Sequence, residues 1–195
     1  MAIITFPQAI SPTKSTWGIK SNAEIFTSPL NGTVQTAGRL GSRWKATIDY
    51  PPMTLATGVA MEAFLAQMDG FSGRCYVTPH HRPGTGLNAN VNGAGQVGTV
   101  LNLSGVAANR IFNAGDYFSV NGEFKMVTQT AQATSGGLVA LSFMPMLRAS
   151  PTNGAAVTFT NPTVQMMLSA DEYLLTRAPG SIYEPMSISL IEVFQ

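Results

Sequence analysis

The sequence predicts a mainly β protein with one short helix, in which a split β-sandwich or barrel domain carries a second, small barrel inserted into it. Three observations predict this class. First, short alternations of apolar and polar residues recur between turns that contain Gly, Asn and Pro. Second, apolar residues follow a helical spacing in one place. Third, the last predicted strands have no partner strand nearby in sequence. With 195 residues, 45% of them hydrophobic, the chain is long enough for two small cores.

The N-terminal part of the chain predicts strands. The stretch RWKATIDY, residues 43–50, alternates apolar and polar side chains, as a strand with one buried face does. Upstream, the SPLNG sequence at residues 28–32 predicts a turn. Residues 15–50 therefore predict a three-stranded meander, which ends at Pro51 and Pro52 because proline cannot donate a ladder hydrogen bond.

One helix follows, predicted over residues 58–68. Thr57 is positioned to cap its start, and the Asp69-Gly70 pair is positioned to end it. The apolar residues of this stretch recur at spacings of three and four and predict one buried face: Met61, Phe64, Leu65 and Met68.

A Gly- and Asn-rich stretch, GTGLNANVNGAGQVG at residues 84–98, predicts a linker, with the next domain starting near Gln96. Residues 97–160 then repeat a strand-turn pattern, with Asn121-Gly122 as a hairpin turn. Five short strands in this stretch predict a small barrel similar to the oligonucleotide/oligosaccharide-binding (OB) fold.

The strands after residue 162 need partners, and the first domain, which has too few strands to be stable alone, is the simplest source. The sequence therefore predicts a discontinuous hub domain, residues 1–82 plus 163–195. Residues 83–162 form the predicted inserted OB-like domain.

Charged residues are scarce, which favours a protein whose faces are covered by neighbouring subunits. They make up 11% of the chain, and 11 Lys and Arg against 10 Asp and Glu leave a net charge of +1, whereas an ordinary soluble domain is about 25% charged. A lone soluble protein usually keeps its net charge away from zero. A monomer with a Ser-, Thr- and Asn-rich surface is the open alternative.

Composition argues against several other classes. Lys and Arg do not cluster, so we expect no nucleic-acid binding. No apolar run is long enough for a membrane span, and the N-terminus lacks the features of a signal peptide, so we expect no membrane insertion and a protein that is made and kept soluble.

Catalytic and metal-binding patterns are also missing from the sequence. Cys75 is the single cysteine and is expected in the core. The adjacent His80 and His81 lack further ligands for a metal, and the carboxylates are scattered apart from Asp171-Glu172, which predicts a polar turn. We therefore expect no enzyme activity, no metal site and no cofactor.

Three passages of the sequence together carry a resemblance to a known family. The first runs from Trp17 to Tyr50 with its SPLNG turn and RWKATIDYPPM strand, and the second is EAFLAQMDG followed by RCYVTP. The third, AGDYFSVNGEFKMVTQT followed by LSFMPML, is the most specific, with a Gly-Asp opening at Gly115 and Asp116. These passages resemble the distal tail proteins of phages with long, non-contractile tails, which implies synthesis in the host cytoplasm. The resemblance covers nearly the whole chain and lies in the order and spacing of elements.

The resemblance implies a structural role in the virion. Proteins of this family form a six-fold ring at the distal end of the tail, with the split domain as the ring wall and the inserted barrel pointing outward. The expected partners are further copies of the same chain in a homohexamer, the tail tube protein above, and the hub and fibre proteins below. The chain is too short for the carbohydrate-binding or arm-like domains of larger members.

Contacts between subunits are predicted on two strands, RWKATIDY and SISLIEVF, which are expected at sheet edges. Unpaired ladder groups at an edge readily recruit another chain. The predicted interface residues are Arg43, Lys45, Thr47, Asp49, Ser187, Ser189 and Glu192.

Two alternative functions stay open. A host-surface saccharide-binding module would grip sugar through Tyr117, Phe118 and Phe124 of the inserted barrel, although alternation predicts that Phe118, Val120, Phe124 and Met126 face its core. A cell-wall hydrolase is the other, but the converging acids or Cys-His set that it needs are missing.

Overall fold

The protein is mainly β, as predicted, with 46% of residues in strands and 7% in one helix among those that the computed structural model describes, which are residues 3–7, 10–84, 86 and 88–194. The elements, in chain order, are β1 Ile3–Ile4, β2 Lys14–Lys20, β3 Ala23–Thr27, β4 Val34–Gly38, β5 Arg43–Tyr50, β6 Met53–Thr54, α1 Leu55–Met68, β7 Arg74–Val77, β8 Ala89–Val91, β9 Gly98–Ser104, β10 Ile111–Phe112, β11 Tyr117–Val120, β12 Glu123–Val127, β13 Ala131–Gln132, β14 Val139–Leu147, β15 Ala156–Thr158, β16 Val164–Leu168, β17 Arg177–Ala178, β18 Ile182–Tyr183 and β19 Met186–Glu192.

Both ends of the chain build one six-stranded sheet, in the order β1-β7-β16-β19-β5-β2. Only the β1–β7 pair is parallel. The two long C-terminal strands, β16 and β19, fill the middle of the sheet between strands from the N-terminal part. One face of the sheet is apolar because alternate side chains, such as Ile48 on β5 and Ile188 on β19, point to the same side.

Helix α1 covers part of this apolar face. It begins one turn earlier than the sequence predicts, because Thr54 rather than Thr57 is the cap: its side-chain oxygen accepts from the Thr57 amide at 3.5 Å. The helix ends where Asp69 takes a left-handed conformation and its amide bonds the Leu65 carbonyl at 3.3 Å. All four predicted core residues are buried: Met61, Phe64, Leu65 and Met68.

A glycine lets the helix approach β18 closely. A Cβ atom on Gly58 would lie 2.1 Å from the ring of Tyr183, which is 1% exposed. We expect Gly58→Ala to lower the free energy of unfolding by about 1–3 kcal/mol through overpacking, despite the better helix propensity of alanine. Urea unfolding measures this, with Gly18→Ala as the control because no atom lies within 4 Å of its added Cβ. Equal stability of the Gly58→Ala and Gly18→Ala proteins would contradict the packing described here.

A closed barrel follows, with strands in the order β11-β12-β14-β9-β8-β15. It has six strands where the sequence predicts five. The additional strand, β8, lies within the predicted linker, because Ala89 and Val91 alternate into the barrel core. Two other residues of that stretch, Thr85 and Leu87, lie outside the described residues.

The β11–β12 hairpin turns at Asn121-Gly122, as predicted, with φ angles of 50° and 73°. This two-residue turn pairs Val120 with Glu123 and Phe118 with Lys125. Paired residues share a face of the sheet. Glu123 and Lys125 therefore share the barrel interior with Phe118 and Val120.

The other face of this hairpin packs against the six-stranded sheet. The expectation that Phe124 and Met126 face the barrel core is wrong by one residue, because the tight turn puts them on the opposite face from Phe118. Phe124 packs instead with the core of the sheet and lies edge-on to Trp44, with ring centroids 5.2 Å apart. Strand β12 is thus covered on both faces.

The two connections between sheet and barrel run side by side. The Asn161 amide donates to the Pro83 carbonyl at 2.6 Å, and Gly84 forms a β-bridge with Thr160. The barrel strands all lie between these two connections in sequence. The division into residues 1–82 plus 163–195 and residues 83–162 as independently folding units stays a prediction.

Candidate assembly surfaces

A two-stranded arm extends from one end of the six-stranded sheet. The chain runs out along β2 and β3 and returns along β4 and β5, so residues 15–50 form one long hairpin and the predicted three-stranded meander is wrong. Two hydrogen bonds join the β2–β5 ladder to the β3–β4 ladder. The Arg39 amide donates to the Asn22 carbonyl at 2.9 Å, and the Asn22 side-chain amide donates to the Leu40 carbonyl at 2.8 Å. We call residues 21–42 the arm.

The arm has no core of its own. No residue from 21 to 40 is buried, and the large apolar side chains are more than half exposed, up to 95% for Leu30. An isolated two-stranded hairpin is marginally stable in water, and its outer edges carry unpaired backbone groups. The arm therefore exposes both apolar side chains and unpaired strand edges. Its exposed apolar residues are Ile25, Phe26, Leu30, Val34 and Leu40.

Local interactions give the arm its shape but add little stability. The turn is closed by the Gly32 amide, which donates to the Ser28 carbonyl at 3.0 Å, and Gly32 has a φ of 69°. An ion pair joins Arg39 to Glu24 across the strands at 2.8 Å, with both side chains more than half exposed. Exposed pairs of this kind contribute about 0–1 kcal/mol.

The two strands predicted as sheet edges are central. Strand β5 pairs with β19 on one side and β2 on the other, and β19 pairs with β5 and β16. Their backbone groups are already used within the sheet, so they cannot recruit another chain through the ladder. The outermost strands are β1 and β2 instead.

Most of the predicted interface residues share one face of the sheet. Asp49 pairs with Ser187 and Thr47 pairs with Ser189 on the adjacent strands, and the Ser187 hydroxyl donates to the Asp49 carboxylate. Lys45 lies on the same face and is exposed. We call these five residues the polar face. Any contact there would be made through side chains.

The other two predicted interface residues differ from each other. Arg43 lies on the same side of β5 as Lys45, whereas Glu192 lies on the opposite side of β19 from Ser189. The Arg43 guanidinium stacks on the ring of Phe194, 4.2 Å from its centroid. Glu192 is only 1% exposed, so its prediction as a surface contact is wrong. Its carboxylate accepts from the Trp44 amide at 3.0 Å and pairs with Arg148 at the junction with the barrel.

No protein-family model matches the chain, and no curated protein is similar to it in sequence. Membership of the distal tail protein family stays a prediction. The arm and the polar face are therefore interpreted from their own geometry.

The aromatic residues suggested for sugar binding are not available on the surface. Phe118 and Phe124 are both 0% exposed. Tyr117 is partly buried between the Arg82 guanidinium, 4.8 Å from its ring centroid, and the indole of Trp44. A saccharide stacks on an open ring face, so these three residues do not form a sugar platform.

The residues considered for chemistry are placed as follows. Cys75 is a core residue, as predicted, and burial raises the pKa of its thiol to about 12. Asp171 and Glu172 lie in an exposed bend after β16. In the described part of the chain, no three His, Cys, Asp or Glu side chains are grouped closely enough to hold a metal ion. The helix found there is also too short to cross a membrane.

The sequence does not predict that the apolar residues of the arm lie on the surface. The SPLNG sequence predicts the turn correctly, but the segments on either side of it, AEIFT and TVQTA, fit the inner strands of a meander as well as the strands of an exposed hairpin. The signal that could have identified them is composition. Each flank has only one or two large apolar residues, Ile25 and Phe26 in the first and Val34 in the second, which is too few to build a buried face.

Proposed function

We propose that this chain is a structural, non-enzymatic subunit of a phage tail tip. It acts as a distal tail protein that forms a homohexameric ring, joins the tail tube to the hub and fibres, and resides at the distal end of the virion tail. The observation that carries the proposal is the exposed arm. Its function is binding and geometric placement of neighbours.

The arm supports an assembly role because it lacks any contact that would make it stable by itself. Ile25 and Phe26 point to opposite faces of the arm. A contact that buries one face therefore leaves an apolar side chain exposed on the other. Both are more than half exposed. A neighbouring subunit that packs on the ribbon or adds a strand to its edge would bury these groups.

The low charge of the chain supports the same role. A net charge of +1 with 11% charged residues gives little electrostatic repulsion between identical copies. The polar face adds hydroxyl groups, from Thr47, Ser187 and Ser189, that can bond a neighbour.

Shortening the arm tests the proposal. Residues 22 and 39 are bonded across the ladder, so residues 23–38 can be replaced by the dipeptide Asn-Gly, which favours a two-residue hairpin turn. We expect the shortened protein to keep its melting temperature, because none of the removed residues is buried, and to lose the ring. Negative-stain microscopy and mass photometry measure this against the full chain.

A point variant provides the matched control. Leu30→Ser removes a side chain that is 95% exposed on the arm, and Leu174→Ser removes one that is 78% exposed elsewhere. We expect Leu30→Ser to weaken the assembly and Leu174→Ser to leave it unchanged. Full-length protein that stays a single 20.6 kDa chain at high concentration would refute the proposal, as would rings that form without the arm.

A further inference from the structure

A cavity of about 330 Å³ lies where the arm leaves the six-stranded sheet. Asn22 and Gly41 at the root of the arm line it, together with Lys20 of β2, Arg43 of β5 and Phe194, which follows β19. A Cβ atom on Gly41 would lie 3.0 Å from the Asn22 side-chain nitrogen and 3.8 Å from the Phe194 ring, so the glycine keeps this space open. A cavity of this volume accommodates a small ligand.

Two cationic side chains face each other at this cavity. Lys20 and Arg43 are directly opposite in the β2–β5 ladder, and residues paired in this way project from the same face of the sheet. Like charges in this arrangement are destabilising. Lys45, two residues along β5 from Arg43, adds a third cation on the same face. A chain whose net charge is only +1 therefore places three positive charges side by side.

No carboxylate of the described residues neutralises this pair of cations. None of the residues that line the cavity is acidic, and neither Lys20 nor Arg43 forms an ion pair within the part of the chain that the structure describes. Asp49 lies on the same face but near the other end of β5, about 20 Å from Arg43 at the residue spacing of a strand. The positive charge at the cavity is therefore left for a ligand from outside the chain.

Arg43 brings unused hydrogen-bond donors to the cavity. Its guanidinium carbon lies 4.2 Å from the centroid of the Phe194 ring, and this ring lines the same cavity. Stacking uses the flat face of a guanidinium, whereas its five N–H groups point outward in the plane. Those of Arg43 have no acceptor among the described residues. The Arg148 guanidinium contacts the same ring at 3.6 Å and pairs with Glu192, which holds the ring in place.

We propose that this cavity at the root of the arm binds a small oxyanion, a carboxylate or phosphate group, held between the Arg43 guanidinium and the Lys20 ammonium. Arginine forms charge-assisted, often paired hydrogen bonds with both kinds of anion, and lysine adds a compact positive charge. The bound anion offsets the repulsion between the two cations. All of the lining residues belong to one chain, so binding does not depend on ring formation, and either proposal can fail without the other.

Isothermal titration calorimetry of the full chain at pH 7 tests the site, with citrate as the carboxylate probe and inorganic phosphate as the second probe. Saturable heat with citrate alone assigns a carboxylate ligand, and saturable heat with phosphate alone assigns a phosphate. Heat with both probes assigns an oxyanion of either kind. The absence of saturable heat with both probes overturns the proposal.

Two variants locate the binding. Lys20→Gln removes one of two opposed like charges, so we expect the melting temperature of the ligand-free protein to stay unchanged or rise while the affinity falls about tenfold or more. Arg43→Gln should lower the affinity at least as much. Lys14→Gln is the matched control, because it removes the same charge from the same face of β2, opposite Asp49, and it should bind like the parent. Unchanged affinity in both Lys20→Gln and Arg43→Gln would overturn the site, as would an equal loss of affinity in Lys14→Gln.

Discussion

Replacing Lys125 with methionine is expected to lower the free energy of unfolding by about 3–5 kcal/mol, because it leaves a buried carboxylate without its counter-charge. The Lys125 ammonium is 0% exposed, lies 2.6 Å from the Glu123 carboxylate and donates to the Met146 carbonyl at 2.9 Å. Glu123 also accepts from the backbone amides of Arg148 and Ala149 at 3.1–3.2 Å.

A second substitution tests whether the loss comes from the unpaired charge. Glu123→Gln removes the negative charge and keeps an oxygen that can accept from the backbone amides. In the Lys125→Met background we expect it to restore a large part of the lost stability, so the two changes are coupled by about 1 kcal/mol or more in a double-mutant cycle. Urea unfolding of the four proteins measures this. Simple additivity would contradict the buried pair.

The same pair predicts a dependence on pH. Burial lowers the pKa of the Lys125 ammonium below its usual 10.5, against the opposing effect of Glu123. Between the folded and unfolded pKa values the unfolded chain binds more protons, so this residue makes stability rise with pH in the alkaline range. The buried Cys75 thiol acts in the opposite direction, because its pKa is raised. The difference in stability between the parent and the Lys125→Met protein therefore isolates the lysine, and it should grow as pH rises through the alkaline range.

Trp44→Ala is the other substitution with a large expected effect, about 3–5 kcal/mol. Trp44 belongs to β5 of the sheet but makes ring contacts with the barrel, and its indole N–H donates to the Phe124 carbonyl at 2.9 Å. Its loss opens a cavity between sheet and barrel. We expect calorimetry to show one thermal transition for the parent and two for the Trp44→Ala protein.

Trp17→Ala is the matched control for this prediction. Trp17 is partly buried, its ring lies 6.3 Å from that of Phe124, and its N–H is bonded locally to Ser15. Its removal should lower stability less and leave one transition. One unshifted transition in the Trp44→Ala protein would show that the indole does not join sheet and barrel.

Local features of the fold could be predicted from the sequence because they depend on neighbours in the chain. The helix core around Met61 and the Asn121-Gly122 turn are set by spacing and turn chemistry. The faces of β12 could not be predicted as easily. Alternation alone allows either set of alternate side chains of β12 to face the barrel interior. Only the pairing of Val120 with Glu123 decides which set does.

Pairings between distant strands account for the remaining errors. Residues 43–50 read as an edge strand because alternation looks the same at an edge and in the centre of a sheet. Its partner β19 comes about 140 residues later in the chain, and no local pattern indicates that distance. For the same reason the sequence wrongly predicts Glu192 as a surface residue. Its partner Arg148, in the stretch after β14, is distant in sequence but covers it.

The hydrogen bond between Pro83 and Asn161 has a consequence for how such a protein can change over generations. The chain leaves the sheet and comes back to it at almost the same point, so the length of what lies between places no demand on the sheet. Recombination could exchange the barrel for another module whose ends lie equally close. The new module would have to bring its own cover for Trp44, since that indole would otherwise face water.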